Sequence, residues 1–270
     1  MHRFSKPLSL PVSTLFVSAL SVLTAFAMAA DPAAAPAAAP AQTTPAPATP
    51  AQKPPPKPRT PEDSLTPSVK DPQRHQKFLE RIKQGGPIDL LFIGDSITDF
   101  WPGRGKDSWA KFAPYHPADF GISADRTEHV IWRLTNGELD GIHPKVAVVM
   151  IGTNNIGHFK DEKPEWAAAG VTKILDLIHE KLPQTKVLLL SVFPREGKDS
   201  PHRKAVEQIN QIIAKLDNGK TVRYLDIGGK FLDESGQIPK DVMQDGLHPT
   251  AKGYDIWYDA MHPLLDEMMK

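Results

Sequence analysis

The stretch Ile88-Asp89-Leu90-Leu91-Phe92-Ile93-Gly94-Asp95-Ser96-Ile97-Thr98, "IDLLFIGDSIT", decides how the chain is read. Its first part is a near-continuous apolar run, the pattern of a strand covered on both faces. The run stops at Gly94, where a turn begins, so Ser96 sits at a strand end. By itself the local sequence allows Ser96 three roles: a turn residue, a helix cap, or a nucleophile. Partners elsewhere in the chain have to decide among them.

Four further runs have the same character: "ADFGI" (118–122), "KVAVVMIG" (145–152), "KVLLLSVFP" (186–194) and "VRYLDI" (222–227). Helical patterns separate them. These are "DRTEHVIWRLTNGEL" (125–139), "PEWAAAGVTKILDLIHEKL" (164–182), "SPHRKAVEQINQIIAKLDNG" (200–219) and "TAKGYDIWYDAMHPLLDEM" (250–268). Pro164 suits the start of the second helix and Pro183 its stop. Strands alternating with helices predict an α/β fold, a three-layer α/β/α sandwich around a five-stranded parallel sheet with right-handed crossovers.

Composition narrows the function classes. The chain has 270 residues, 32 Lys+Arg against 32 Asp+Glu, and no Cys. The neutral balance gives no reason to expect nucleic acid as a partner. Without Cys there are no disulfides, thiolate metal sites or cysteine nucleophile. Arg3 and Lys6 precede an apolar stretch from about Leu8 to Phe26, and Ala27-Met28-Ala29 is an A-x-A cleavage pattern. Residues 1–29 therefore read as a signal peptide, and the expected location is periplasmic or secreted. Residues 30–63 are rich in Ala and Pro and read as a disordered linker. The globular domain is expected at 64–270. No later segment reaches spanning length without charges, so no membrane span is expected after cleavage. A monomer or homodimer is expected.

In parallel α/β sheets, ligands sit at the carboxyl ends of the strands. Those ends read Gly94-Asp95-Ser96, Gly121-Ile122-Ser123-Ala124-Asp125, Gly152-Thr153-Asn154-Asn155 and Val192-Phe193-Pro194-Arg195. A further site, Asp245-Gly246-Leu247-His248-Pro249, lies past the last strand. Acyl transfer needs a nucleophile, a base, a group that orients the base, and donors for the oxyanion. Ser96, His248 and Asp245 supply the first three in type. The three-residue spacing lets the carboxylate reach Nδ1 while Nε2 points at the serine. Ser96 N–H, Ala124 N–H and the Asn154 side chain are candidate oxyanion donors. Each part has a plainer reading: "GTNN" as a turn, D-x-x-H as a surface pair or half a metal site, Asp125 as the cap of its helix. The joint occurrence of all parts at strand ends favours chemistry.

These blocks resemble the SGNH (GDSL-type) hydrolases. "FIGDSIT" is similar to the first block, "FGISADRTEHVIWRLTNGEL" to the second, "VVMIGTNN" to the third and "DGLHPTAKGY" to the last. The second and third resemble most the esterases related to platelet-activating-factor acetylhydrolase catalytic subunits. The resemblance spans roughly 87–268. It implies the flavodoxin-like fold of that family, a Ser96–His248–Asp245 triad, an oxyanion hole of Ser96, Ala124 and Asn154, short acyl groups, especially acetyl, and no metal or cofactor. The sequence departs from the pattern at Ala124, where the family usually places a glycine. A backbone N–H survives in Ala, but a left-handed φ would be strained there, so either the turn has φ below zero or the oxyanion hole is slightly altered.

The expected activity is therefore an exported serine esterase acting on a small-molecule or glycan ester. Gly121, Phe100, Trp101, Ile122, Ile156 and Phe193 are candidate substrate-binding residues, the five apolar ones each equally suited to the core. Two alternatives stand: a non-catalytic carbohydrate-binding module on the same fold, and a nucleotide-binding domain. The second lacks G-x-G-x-x-G and G-K-[ST] patterns.

Overall fold

A computed structural model describes residues 57–270. The signal peptide expected at 1–29 and most of the linker expected at 30–63 lie outside the described residues.

The five apolar runs form five strands: β1 (Leu90–Gly94), β2 (Pro117–Gly121), β3 (Val146–Met150), β4 (Lys186–Leu190) and β5 (Val222–Leu225). All neighbours pair in parallel, in the order β2-β1-β3-β4-β5. This is the doubly wound, flavodoxin-like order, with a switch point between β1 and β3. The helices in chain order are α1 (Pro72–Gln84), α2 (Ser96–Asp99), α3 (Trp101–Arg104), α4 (Lys106–Ala110), α5 (Thr127–Thr135), α6 (Thr153–His158), α7 (Pro164–Lys181), α8 (Pro201–Ile213) and α9 (Ala251–Met269).

The apolar runs are near-continuous because successive strand residues face opposite layers, and both layers are apolar. Leu91, Ile93, Ala147, Val149, Val187 and Leu189 share one core with residues of α1, α5, α7 and α8, such as Phe78, Leu134, Ile174 and Ile209. Leu90, Phe92, Val146, Val148, Leu188 and Leu190 share the other with Trp101, Phe112, Tyr254, Trp257 and Leu265. Two faces and two helical layers give the expected three-layer sandwich.

One added element and one boundary go beyond the sequence reading. Helix α1 carries only Phe78, Leu79 and Ile82 as apolar residues, and only His75 and Phe78 in it are buried. Phe78 stacks on Phe120 of β2 at 4.6 Å, and the Asp71 side chain caps the helix by accepting from Arg74 N at 2.8 Å. The folded body also begins before residue 64. Arg59 pairs with Glu162 at 2.9 Å and with Glu128 at 3.1 Å. Residues 59–63, which composition assigns to the linker, therefore belong to the domain. The partners of Arg59 lie some seventy and a hundred residues away, so local composition carries no trace of them. Among the described residues, no helix is long and apolar enough to cross a membrane.

Candidate active site

Ser96 follows β1 and Asn154 follows β3, so the two residues flank the switch point of the sheet. Ser96 is the first residue of α2, and the cap of that helix is its neighbour. Asp95 Oδ1 accepts from Ile97 N at 3.0 Å. The cap role is thus filled by Asp95, and the Ser96 hydroxyl is left for another partner. That partner is His248, whose Nε2 lies 2.9 Å from Ser96 Oγ.

The far side of the imidazole is held by Asp245. Its Oδ2 lies 2.7 Å from His248 Nδ1, and its Oδ1 accepts from the backbone N–H groups of His248 at 2.8 Å and Leu247 at 3.0 Å. Both carboxylate oxygens are occupied by one short turn, which fixes the orientation of the ring. An Nδ1–H donating to the carboxylate leaves Nε2 as acceptor for the serine O–H. Burial pushes the Asp245 carboxyl up, but the N–H groups of His248 and Leu247 and the imidazole outweigh it and bring it down to about 2. Asp245 is therefore an anion throughout the neutral range. The D-x-x-H pair meets a serine hydroxyl, and among the described residues no cluster of three or more His, Cys, Asp or Glu is arranged to hold a metal.

The opposite rim is built from the turn after β2 and the start of α6. Ala124 has φ 62°, so the turn does not take the φ below zero that would have spared an alanine strain; its backbone is left-handed. For an L-residue this costs about 1–2 kcal/mol. The turn persists because several contacts over-determine it. Asp125 N donates to Ile122 O at 3.1 Å, Lys70 Nζ donates to Ser123 O at 2.5 Å, and Asn154 Nδ2 donates to Asp125 O at 3.0 Å.

Asp125 is not the cap of α5. Its Oδ2 accepts from Arg133 Nε at 2.9 Å, and the first amide of the helix, Thr127 N, donates to Asn155 Oδ1 at 3.1 Å. Asn155, the second Asn of "GTNN", is a structural residue that sequence reading passed over. The two adjacent asparagines alternate between roles because α6 points them at different neighbours. Arg133 is fully buried and also pairs with Glu138. Burial raises the Asp125 carboxyl to about 6 in spite of the Arg133 charge.

Most of the expected substrate-binding residues, Ile122 among them, are buried in the core, and Phe100 is the exception. Trp101 is 0% exposed and packs on Phe92, Tyr254 and Trp257. Phe193 is buried between Phe231 and Trp257, and Ile156 is buried on the other side of the sheet. Gly121 is buried too; a Cβ there would come within 2.4 Å of Asp99 N, so its glycine lets β2 and α2 approach. These four residues are core rather than pocket wall. A cavity of about 460 Å³ lies on the Asp245–His248 side of the site, lined by Arg104, Gln244, Asp245, His248, Pro249, Thr250 and Ala251; Ser96 is not in its lining. Its polar lining gave no apolar signal to follow in the sequence. Phe100 is the aromatic residue that does reach the site, with its ring 5.3 Å from that of His248 and the Arg104 guanidinium 4.2 Å over it.

The GDSL-like lipase/acylhydrolase family matches residues 92–256, a span that holds Ser96, Ala124, Asn154, Asp245 and His248. The chain belongs to that family. A rat relative, platelet-activating factor acetylhydrolase IB subunit alpha2, is 37% identical over 199 residues, covering 73% of this chain and 84% of its own. A GDSL-like lipase from Bacteroides thetaiotaomicron has a similar structure, with TM-score 0.61, 17% identity, and coverage of 72% of this chain and 97% of its own. A carbohydrate acetylesterase from Sinorhizobium meliloti aligns with TM-score 0.53 and 17% identity, covering 66% of this chain and 98% of its own. Membership of the GDSL-like family makes the protein a carboxylic ester hydrolase. That sets aside the non-catalytic binding module and the nucleotide-binding domain.

Proposed function

We propose that the protein is an exported serine esterase that removes short acyl groups, principally acetyl, from a hydroxylated alcohol. The observation that carries this reading is the hydrogen-bonded series Ser96 Oγ–His248 Nε2 at 2.9 Å and His248 Nδ1–Asp245 Oδ2 at 2.7 Å.

In this reading, Ser96 Oγ attacks the ester carbonyl as His248 Nε2 takes its proton. Asp245, already an anion, stabilises the imidazolium and holds its tautomer. Negative charge develops on the carbonyl oxygen and is met by Ser96 N–H, Ala124 N–H and Asn154 Nδ2. These fixed donors act on charge that exists only in the transition state. His248 then gives its proton to the leaving alkoxide. Water, deprotonated by His248, releases the carboxylic acid from the acyl-serine and restores the Ser96 hydroxyl.

Acetyl specificity draws support from the similarity to the rat acetylhydrolase and to the Sinorhizobium carbohydrate acetylesterase. The alcohol part must lie on the side of His248, which protonates it. The cavity there is lined by Arg104, Gln244 and Thr250, side chains that suit hydroxyl groups better than an alkyl chain. An O-acetylated glycan is therefore the favoured substrate class. Export rests on the basic, apolar and A-x-A succession of residues 1–29.

The test is hydrolysis of p-nitrophenyl acetate and of acetylated oligosaccharides by the wild type and Ser96→Ala, with fluorophosphonate labelling of both. Loss of hydrolysis and of labelling in Ser96→Ala is expected. Full activity in that variant would remove Ser96 from the mechanism.

A further inference from the structure

After β4 the chain leaves the sheet as Ser191-Val192-Phe193-Pro194-Arg195-Glu196, and this segment touches both halves of the site. Arg195 is buried. Its Nη1 donates to Thr153 O at 2.9 Å and lies 3.1 Å from Thr153 Oγ1. Thr153 is the residue directly before Asn154. The next residue, Glu196, donates its backbone N–H to Gly246 O at 2.7 Å. Gly246 is the residue directly after Asp245. Two consecutive residues thus bond to the chain neighbours of the oxyanion asparagine and of the triad aspartate.

The segment is itself anchored. Asn210 on α8 accepts from Val192 N at 2.8 Å and donates to Val192 O at 2.9 Å. Arg203, also on α8, donates to Arg195 O at 2.9 Å and to Glu196 O at 2.6 Å. Glu196 has φ 57°, a left-handed conformation for a residue with a Cβ. Such backbone persists where the surroundings over-determine it and is concentrated at functional sites. Its carboxylate accepts from Ser200 Oγ at 2.5 Å and Arg195 Nη2 at 3.0 Å, with His202 Nδ1 2.9 Å away. The α6 side of the contact is shaped to receive the guanidinium. A Cβ on Gly157 would lie 2.5 Å from Arg195 Nη1.

We infer that Arg195 and Glu196 form a positioning brace that holds the Asn154 helix and the Asp245–His248 loop in register across the ester-binding site. This rests on the serine-esterase reading above. The residues contact no reacting atom in that reading. They act by fixing where Asn154 stands relative to the serine and its base, and small misplacements of such groups cost rate rather than affinity.

The experiment compares kcat and KM on p-nitrophenyl acetate for the wild type, Arg195→Ala, Asn154→Ala, the Arg195→Ala/Asn154→Ala double variant, and Gly157→Ala, with folding checked by circular dichroism. Arg195→Ala is expected to lower kcat by up to roughly 10²-fold with KM near the wild-type value. The double variant is expected to be no slower than Asn154→Ala alone, because Arg195 acts through Asn154. Gly157→Ala keeps the arginine but displaces its guanidinium, and its kcat should fall in the same direction. A folded Arg195→Ala with wild-type kcat, or losses that multiply in the double variant, would overturn the brace. If Arg195→Ala does not fold, Gly157→Ala decides, and wild-type kcat there overturns it. Full activity in Ser96→Ala would instead overturn the esterase-site reading, in a separate variant.

Discussion

The side-chain amide of Asn154 donates a 3.0 Å hydrogen bond to the main-chain carbonyl of Asp125. The bond ties the start of α6 to the turn that carries Ala124, so two candidate oxyanion donors from different strand ends share one rigid link. An amide NH₂ has two donors, and this bond engages one of them, leaving the second for a ligand. Replacing Asn154 by Ala removes both the link and the donor. The expected result is a fall in kcat of roughly 10²–10³-fold with KM little changed. Steady-state kinetics on a short acetyl ester measures it, and a change confined to KM would contradict the role.

Ala124 occupies a conformation that glycine adopts without strain. Ala124→Gly releases about 1–2 kcal/mol of left-handed strain, and the freer unfolded chain offsets about 0.4–1 kcal/mol of that gain. A net stabilisation of up to about 1.6 kcal/mol is expected, or a rise in Tm of roughly 2–4 °C for each kcal/mol gained. The backbone N–H survives, so kcat should stay close to wild type. A lower Tm in Ala124→Gly would show that the turn is not strained in solution.

Asp245 is spent entirely on His248 and its turn. Asp245→Asn keeps the shape but offers an N–H or a neutral oxygen where an anion held the imidazole. The histidine can then present the wrong tautomer to Ser96, and kcat is expected to fall by roughly 10⁴-fold. A loss of only a few-fold would mean that the loop, rather than the charge, orients the ring.

Asp95 is wholly buried beside the candidate nucleophile. One oxygen accepts from Ile97 N and the other has no partner among the described residues. Burial raises its carboxyl to about 7, against a bond from Ile97 that lowers it. A raised folded value means that its contribution to stability is full below the ordinary carboxyl range, about pH 4, and is lost as pH rises through about 7. Asp95→Asn cannot ionise. The Tm of this variant relative to wild type should therefore grow between about pH 4 and pH 7 and level off above. Melting curves at several pH values test this, and a flat difference would place the Asp95 titration outside that window.

Arg133 joins two layers of the site's foundation, pairing at once with Asp125 and Glu138 while fully buried. Arg133→Leu leaves two buried carboxylates without their cation. A loss of about 3–5 kcal/mol is expected from denaturant unfolding. A loss below about 1 kcal/mol would contradict a stabilising role for the Arg133 pairs.

The sequence alone determined the layer order and the chemistry of the strand ends. Apolar runs between helical patterns are legible because burial on both faces of a parallel sheet demands nearly every strand residue, and strand ends then place Ser96 and Asn154 by register. The D-x-x-H spacing is legible because one turn is enough to join Asp245 to His248. Only the tertiary structure decided the rest. Trp101 and Phe193 are apolar residues near the site in sequence, and nothing local distinguishes a pocket wall from a core, since both bury the same side chain. The left-handed φ at Ala124 depends on bonds from Lys70 and Asn154, and the bracing depends on the bonds of Arg195 to Thr153 and of Glu196 to Gly246. These partners lie about thirty to fifty residues away along the chain and meet only once the sheet has formed, because it is the order β2-β1-β3-β4-β5 that brings their loops to one edge.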